Sequence, residues 1–422
     1  MTAYIRPGPP PSGVLAAPPS KSMAHRAVLC AALADGESRL TGLAHSQDID
    51  ATLAAAAALG AQVEAGEGWA RIAGAAPLQA PAAPVDCCES GSTLRFLIPL
   101  AALTGRPVAF TGRGRLMQRP QSVYQELFAS QGLRFEQEGD TLTVAGPLRP
   151  GCFSLAGDVS SQFISGLLFA LPLLDGDSRL CLKPPVESRS YIEMTRAAQS
   201  RFGVASAWLD EYTLAVPGGQ AYRPRDMAIE GDWSQAAFPA ALGVLAGDVT
   251  VTGLEPGTLQ GDAVILDILR RCGGRAEAVP GGVRFQKSAL HGTKIDLADC
   301  PDLGPILMAL GLLCEGETVI ANAGRLRLKE SDRIAAMEQE LRKLGGQIES
   351  DGGTVTIRRS ALHAPAGPLW GHNDHRVVMS LTVLAAAAGL PVQIDGAEAV
   401  AKSWPGFFAA VRQLGVEVQT DA

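Results

Sequence analysis

The sequence predicts an α/β protein of two globules, built from six copies of one helix–strand–helix–strand–strand unit, three in each. Three observations predict it. One pattern recurs: a polar cluster, an apolar helix-like run, a Gly, then a short β-rich stretch. Its closing glycines are Gly36, Gly105, Gly176, Gly247, Gly316 and Gly389, with successive separations of 69, 71, 71, 69 and 73 residues. So regular a beat marks repeated supersecondary units. Next, the first helix of each unit is apolar nearly all round and belongs inside a globule, whereas the second is amphipathic and lies nearer solvent. Finally, the sixth unit ends at "VEVQTDA" without its last strand, which the isolated "TAYIRPG" at the N-terminus can supply.

The elements follow in order. The buried helices are read in "SKSMAHRAVLCAALADGESRLTG", "ESGSTLRFLIPLAALTGRPVAFTG", "SSQFISGLLFALPLLDGDSRLCL", "GDWSQAAFPAALGVLAGDVTVTG", "DCPDLGPILMALGLLCEGETVIAN" and "HNDHRVVMSLTVLAAAAGLPVQIDG". The amphipathic ones include "DIDATLAAAAALG", "QSVYQELFASQG" and "SDRIAAMEQELRKLGG". Paired strands follow, as in "GQIESDGGTVTIRRS", where Asp-Gly makes the turn. Units one to three would occupy residues 18–228. Units four to six, completed by the N-terminal strand, would occupy 1–17 plus 229–422. The Pro-rich "GPPPSGVLAAPPS" and "AYRPRDMAIEG" read as two crossovers. A two-stranded hinge at 13–20 and 224–231 follows, with a cleft that is open when empty and closed over ligands.

Composition narrows the function. The chain has 422 residues, 47% of them hydrophobic, enough for two or three cored domains. A net charge of −7 gives no basic field for nucleic acid. The eight cysteines show no CxxC and no zinc-like spacing and suit a reducing cytosol, and adjacent Cys87 and Cys88 read as small, partly buried packing residues rather than a redox pair. The N-terminus has no basic start followed by an apolar stretch, so a secretory signal is not expected. The uncharged run Val377–Ile394 reaches the lower length for a membrane span. It holds Ser380, Thr382, Gly389 and Pro391, however, and has five soluble-looking counterparts, so no membrane contact is expected.

The starts of the buried helices carry the chemistry. A helix N-terminus presents unpaired N–H groups and partial positive charge, and so suits an anion. Here stand Ser20-Lys21-Ser22 with Arg26, Ser90-Gly91-Ser92-Thr93 with Arg95, Ser160-Ser161-Gln162, Asp232 with Ser234, Asp302, and Asn373-Asp374-His375-Arg376. Ser, Asp and Asn there are also ordinary N-caps. Lys21 and Arg376 are not, because cations oppose the dipole; a bound anion would reverse that cost. Near the second helices lie Arg119, Ser188, Tyr191, Lys329, Glu330, Arg333 and Lys402. At (i, i+4), Lys329 and Arg333 are expected on one helix face, with Glu330 between. Cations suit phosphates and carboxylates, and Asp302 and Glu330 suit proton transfer. There is no Walker A loop, GxGxxG, HExxH or GxSxG. His375 reads as a local hydrogen-bond partner rather than a metal ligand.

Eight stretches, in order, carry a resemblance: "PPSKSMAHR", "SGSTLRFL", "QRPQSV", "GDVSSQFISGLL", "PDLGPILMAL", "LKESDR", "NDHRVVMS" and "AKSWPGF". Along essentially its whole length the chain resembles the EPSP synthases, the 3-phosphoshikimate 1-carboxyvinyltransferases. The resemblance implies a two-globule inside-out α/β barrel of six βαβαββ repeat units. It implies attack of the 5-hydroxyl of shikimate 3-phosphate on C2 of phosphoenolpyruvate, with no metal or organic cofactor and with glyphosate as an inhibitor; a monomer is expected because two globules already pair within one chain, and the cysteine pattern points to the cytoplasm. By motif match, Asp302 is the base, with Glu330 and Lys21 as proton-transfer partners. Lys21, Gly91, Arg119, Gln162, Arg333, Arg376 and Lys402 would hold phosphoenolpyruvate. Lys21, Ser22, Arg26, Ser160, Ser161, Gln162, Ser188, Tyr191, Asp302 and Lys329 would hold shikimate 3-phosphate.

The chain departs from the family pattern at Glu89 and Arg325, where Asn is usual, and at Phe96, where Pro is frequent. Two other readings compete. The sister enolpyruvyl transferase acting on UDP-N-acetylglucosamine normally has Lys-Asn where this chain has Lys21-Ser22. A non-catalytic anion-binding paralogue would not need Lys21, Asp302, Glu330, Arg333, Arg376 and Lys402 all intact.

Overall fold

The structure is a computed structural model that describes residues 1–421. Among these, six four-stranded sheets share one strand order. In each, a short edge strand runs parallel to the strand that follows the buried helix; in the sheet of Glu37–Leu43 it is Met227–Ala228, from the far end of the same unit. The later hairpin then adds two antiparallel strands, its second arm innermost. Thus Cys152–Ala156 runs parallel to Ser178–Lys183, which pairs antiparallel with Thr213–Val216 and through it with Ala207–Trp208. In the sixth sheet Leu369–Trp370, Val392–Asp395, Thr2–Ile5 and Val418–Thr420 repeat this order. The N-terminal strand takes the inner hairpin place that the last unit cannot fill. The α/β fold class read from the repeats holds.

The chain forms two compact units, Met1–Pro18 with Glu230–Ala422, and Pro19–Ile229. The two Pro-rich stretches read as crossovers are not bare linkers. Ser12–Ala16 pairs with Asp248–Thr252, and Met227–Ala228 pairs with Leu40 and Thr41. Their pattern hides them: in Ser12–Ala16 only Leu15 is buried, so no alternation is legible.

Each unit has its own apolar core around three helices. In the 19–229 unit these are Lys21–Ala32, Gly91–Leu103 and Ser161–Ala170; in the other, Trp233–Ala246, Gly304–Gly311 and His375–Ala388. The Gly91–Leu103 helix contains Pro99, whose ring nitrogen cannot donate to the carbonyl of Arg95 one turn back. Tyr124 Oη takes over that donation at 2.8 Å and also lies 3.0 Å from the carbonyl of Phe163. A Cβ on Gly166 would collide with both Tyr124 Oη and the Arg95 carbonyl, so glycine there permits the close approach of the two helices. The run that neared membrane length folds as His375–Ala388 and ends at Gly389 with φ 64°. Among the described residues no helix is long and apolar enough to cross a membrane.

Candidate active site

In the 19–229 unit, three serines cap the three buried helices. Ser20, Ser90 and Ser160 accept from the backbone N–H of Met23, Thr93 and Gln162. The strands thus bring the three helix starts that carry Lys21, Gly91 and Gln162 into one unit. Lys21 is the first residue of its helix, and its cost against the dipole is met at home. Its Nζ lies 2.6 Å from Oδ2 of Asp48, at the start of the Gln47–Ala58 helix. Beneath this pair a buried thread of hydroxyls links the helices. His25 Nδ1 lies 2.7 Å from Thr52 Oγ1, which lies 2.7 Å from Thr93 Oγ1, which in turn donates to Ser90 Oγ at 2.7 Å. Burial first, then Lys21 and Arg26, push the His25 imidazole well below its usual value.

Gln162 is fixed at both ends: its Oε1 accepts from Arg95 at 2.9 Å and its Nε2 donates to Ser92 Oγ at 2.9 Å. Arg95 also stacks on Phe163, 4.6 Å from the ring centroid. Arg119 is buried against Gly91, where an added Cβ would stand 2.5 Å from Nη1. Arg26 acts as a strut. It donates to Thr195 Oγ1 and to the carbonyls of Ser22 and Tyr191, and its guanidinium packs on Phe96 and Tyr191. Burial lowers its pKa to about 10. Ser161 and Ser188 are buried; Ser188 has φ 56° and ψ 41° at the start of Arg189–Arg201. A non-glycine residue held in that conformation is uncommon and clusters at functional loops. Glu89, where the family usually has Asn, turns its carboxylate onto Gly114, leaving no room there for a Cβ.

The other unit gathers a charged cluster on Asp302. Lys329 Nζ and Arg333 Nη1 reach its Oδ1 at 3.3 and 3.2 Å, and Arg376 Nη2 reaches Oδ2 at 2.9 Å. Arg333 also donates to Glu330 at 2.8 Å and, through Nε, to Asp374 at 2.8 Å. Asp374 is fully buried, caps its helix on Arg376 N, and accepts from Ser331 Oγ at 3.0 Å. Burial opposes the charge on Arg333, but Asp374, Glu330 and Asp302 together raise its pKa. Burial likewise opposes the Asp374 carboxylate, and Arg333 keeps it below the usual range. For Lys329 burial prevails: its pKa is lowered although Asp302 pulls the other way. Lys402 donates to the carbonyl of Asn373 at 2.6 Å.

Two expectations change here. Lys329 and Arg333 do not share a helix face. Asp332 caps the second helix, accepting from Ala335 N at 3.0 Å, so the helix starts at Arg333 and Lys329 lies in the preceding loop. They meet at Asp302 instead. Nor do Lys21 and Arg376 wait for an anion to offset the dipole, since Asp48 and Asp302 already pair with them. Sequence reasoning passed over Asp48 and left Asp374 without a role. Both look like ordinary first-turn or capping acids. Among the described residues no group of three or more His, Cys, Asp or Glu could hold a metal ion.

A family model described as EPSP synthase (3-phosphoshikimate 1-carboxyvinyltransferase) matches residues 5–411. A 3-phosphoshikimate 1-carboxyvinyltransferase of Clostridium kluyveri is 41% identical, covering 96% of this chain and 96% of that protein. Its counterpart in Clostridioides difficile is 37% identical over 96% of this chain and 95% of that protein. Among solved structures, an EPSP synthase from Acinetobacter baumannii superposes with a TM-score of 0.81 at 24% identity, covering 99% of this chain and 100% of that one. The enolpyruvyl transferase NikO from Streptomyces tendae gives 0.78 at 16% identity, over 99% and 98% of the two chains. At these identities the two solved structures speak for the fold alone.

Proposed function

From the chain's membership of the EPSP synthase family we infer how its own residues divide the work. The protein transfers the enolpyruvyl group of phosphoenolpyruvate to the 5-hydroxyl of shikimate 3-phosphate. It serves the shikimate pathway and aromatic amino acid biosynthesis; transfer to UDP-N-acetylglucosamine is not favoured.

The observation that carries the reading is the clasp of Lys329, Arg333 and Arg376 around Asp302. Asp302 takes the proton from the 5-hydroxyl as its oxygen bonds to C2 of phosphoenolpyruvate. The methylene carbon is protonated by Glu330 or Lys21, giving a tetrahedral intermediate. Phosphate leaves with the proton that Asp302 took, and return of the methyl proton to Glu330 or Lys21 forms the enol ether. The cations and helix starts offset the charge of two anionic substrates. Lys21, Gly91, Arg119, Gln162, Arg333, Arg376 and Lys402 hold phosphoenolpyruvate. Lys21, Ser22, Ser160, Ser161, Gln162, Ser188, Tyr191, Asp302 and Lys329 hold shikimate 3-phosphate, and Arg26 supports them by bracing Ser22 and Tyr191. Asp48 positions Lys21, and Asp374 positions Arg333. Glyphosate is proposed as an inhibitor. The enzyme works in the cytoplasm as a monomer.

Phosphate release by the purified protein, with both substrates present, tests the reading. Turnover with shikimate 3-phosphate and none with UDP-N-acetylglucosamine is expected; the reverse pattern, or no turnover with either, overturns it.

A further inference from the structure

Cys152 and Cys181 stand on neighbouring parallel strands, where Cys152 is opposite Arg179 and Ser154 is opposite Cys181. Side chains alternate along a strand. Phe153, Leu155, Leu180 and Leu182 point into the core, so Cys152, Ser154, Arg179, Cys181 and Lys183 share the outer face. On that face the two sulfur atoms lie 3.1 Å apart. Disulfide bonds measure about 2.05 Å, so forming one requires the two sulfur atoms to approach by about a further 1 Å. Cys152 is exposed, Cys181 and Cys88 are half-buried, and Cys30, Cys87, Cys272, Cys300 and Cys314 are buried. A surface hollow of about 440 Å³ opens beside Cys152, lined among others by Arg179, Leu209 and Pro217.

We propose that Cys152 and Cys181 form a thiol–disulfide exchange site for low-molecular-weight disulfides. The Cys152 thiolate attacks one sulfur of the incoming disulfide. A Cys152 mixed disulfide forms and the first thiolate leaves. Cys181 then attacks the Cys152 sulfur, the internal disulfide forms, and the second thiolate leaves. The two protons given up by the protein reappear on the two released thiols. The incoming disulfide is the oxidant and takes up both electrons. The order of attack follows from access. Cys181 is the less exposed, and its pKa is raised, first by its hydrogen bond to Cys152 and then by burial, with Arg179 acting the other way.

The bond would pin two strands that run in the same direction toward Ser160 and Ser188. Beyond the cysteines they are already stitched by Gly157 N to Lys183 O at 3.0 Å and Glu187 N to Gly157 O at 3.1 Å.

Oxidised glutathione is the probe, added to the folded full-length chain, followed by peptide mass mapping. A Cys152–Cys181 linked peptide pair, lighter by two hydrogens than the two reduced peptides and restored by dithiothreitol, is expected. Cys181→Ser should trap glutathione on Cys152, and Cys152→Ser should leave Cys181 reduced. Absence of the linked pair in the folded wild-type chain overturns the proposal. So does separate, stable glutathione attachment at both cysteines.

Discussion

Arg376 holds Asp302 from two directions: Nη2 lies 2.9 Å from Oδ2, and Nη1 donates to the Asp302 carbonyl at 3.1 Å. The same guanidinium reaches Ser234 Oγ at 2.9 Å, at the start of the Trp233–Ala246 helix. One cation near a helix start thus orients the carboxylate assigned as base and ties it to a neighbouring helix.

Asp302→Ala should lower turnover by about 10²–10⁴-fold, the usual worth of a general base. Shikimate 3-phosphate should still bind measurably by calorimetry, because Ser160, Gln162 and Ser188 are untouched. Turnover near that of the wild type would remove Asp302 from the role.

Gly91→Ala should raise the KM for phosphoenolpyruvate more than it lowers kcat. The new methyl group meets Arg119 Nη1 at 2.5 Å, and the guanidinium must swing away. Lys21→Met should have the larger effect, and Asp48→Asn an intermediate one, because Asp48 sets the position of the Lys21 ammonium. Steady-state kinetics on the three variants check the order; an unchanged KM in Gly91→Ala would refute the contact.

Tyr124→Phe should destabilise the 19–229 unit by about 1–3 kcal/mol, the range for a buried acceptor losing its donor. The carbonyl of Arg95 has no donor from Pro99 and depends on the tyrosine hydroxyl. Urea unfolding measures the difference, and a midpoint equal to that of the wild type would show that another donor serves this carbonyl.

Stability should fall as the pH drops through the range below 6.5, in part because of His25. Its folded pKa lies well below 6.5, so on acidification the unfolded chain binds the proton first and gains stability relative to the fold. The loss levels off once the pH passes below the folded value. His45 works in the opposite sense: its pKa is raised, chiefly by its hydrogen bond to Asp50, so its contribution is present in acid and fades as the pH rises through its folded value. Comparing Tm against pH for the wild type and His25→Gln isolates the first effect, and a flatter acid limb is expected in the variant. Parallel curves would clear His25 of it.

What the sequence alone determined was periodic. Six glycines at a near-constant interval, six apolar helices and six amphipathic ones record local turn chemistry and burial, and these act over short stretches of chain. Asp302 and Arg376 stood out as charges at the starts of apolar helices, and Arg333 as a charge on an amphipathic one. The tertiary structure alone decided which charge meets which. Asp48 and Asp374 read as routine helix-start acids until folding set them against Lys21 and Arg333. Lys329 and Arg333 lost their assumed helix face to the Asp332 cap, yet converge on Asp302 from a loop and a helix. Partners 27, 31 and 41 residues apart leave no local periodicity to read. Their pairing is fixed by core packing, which sets the helix starts side by side, and by the high cost of leaving a buried charge unpaired.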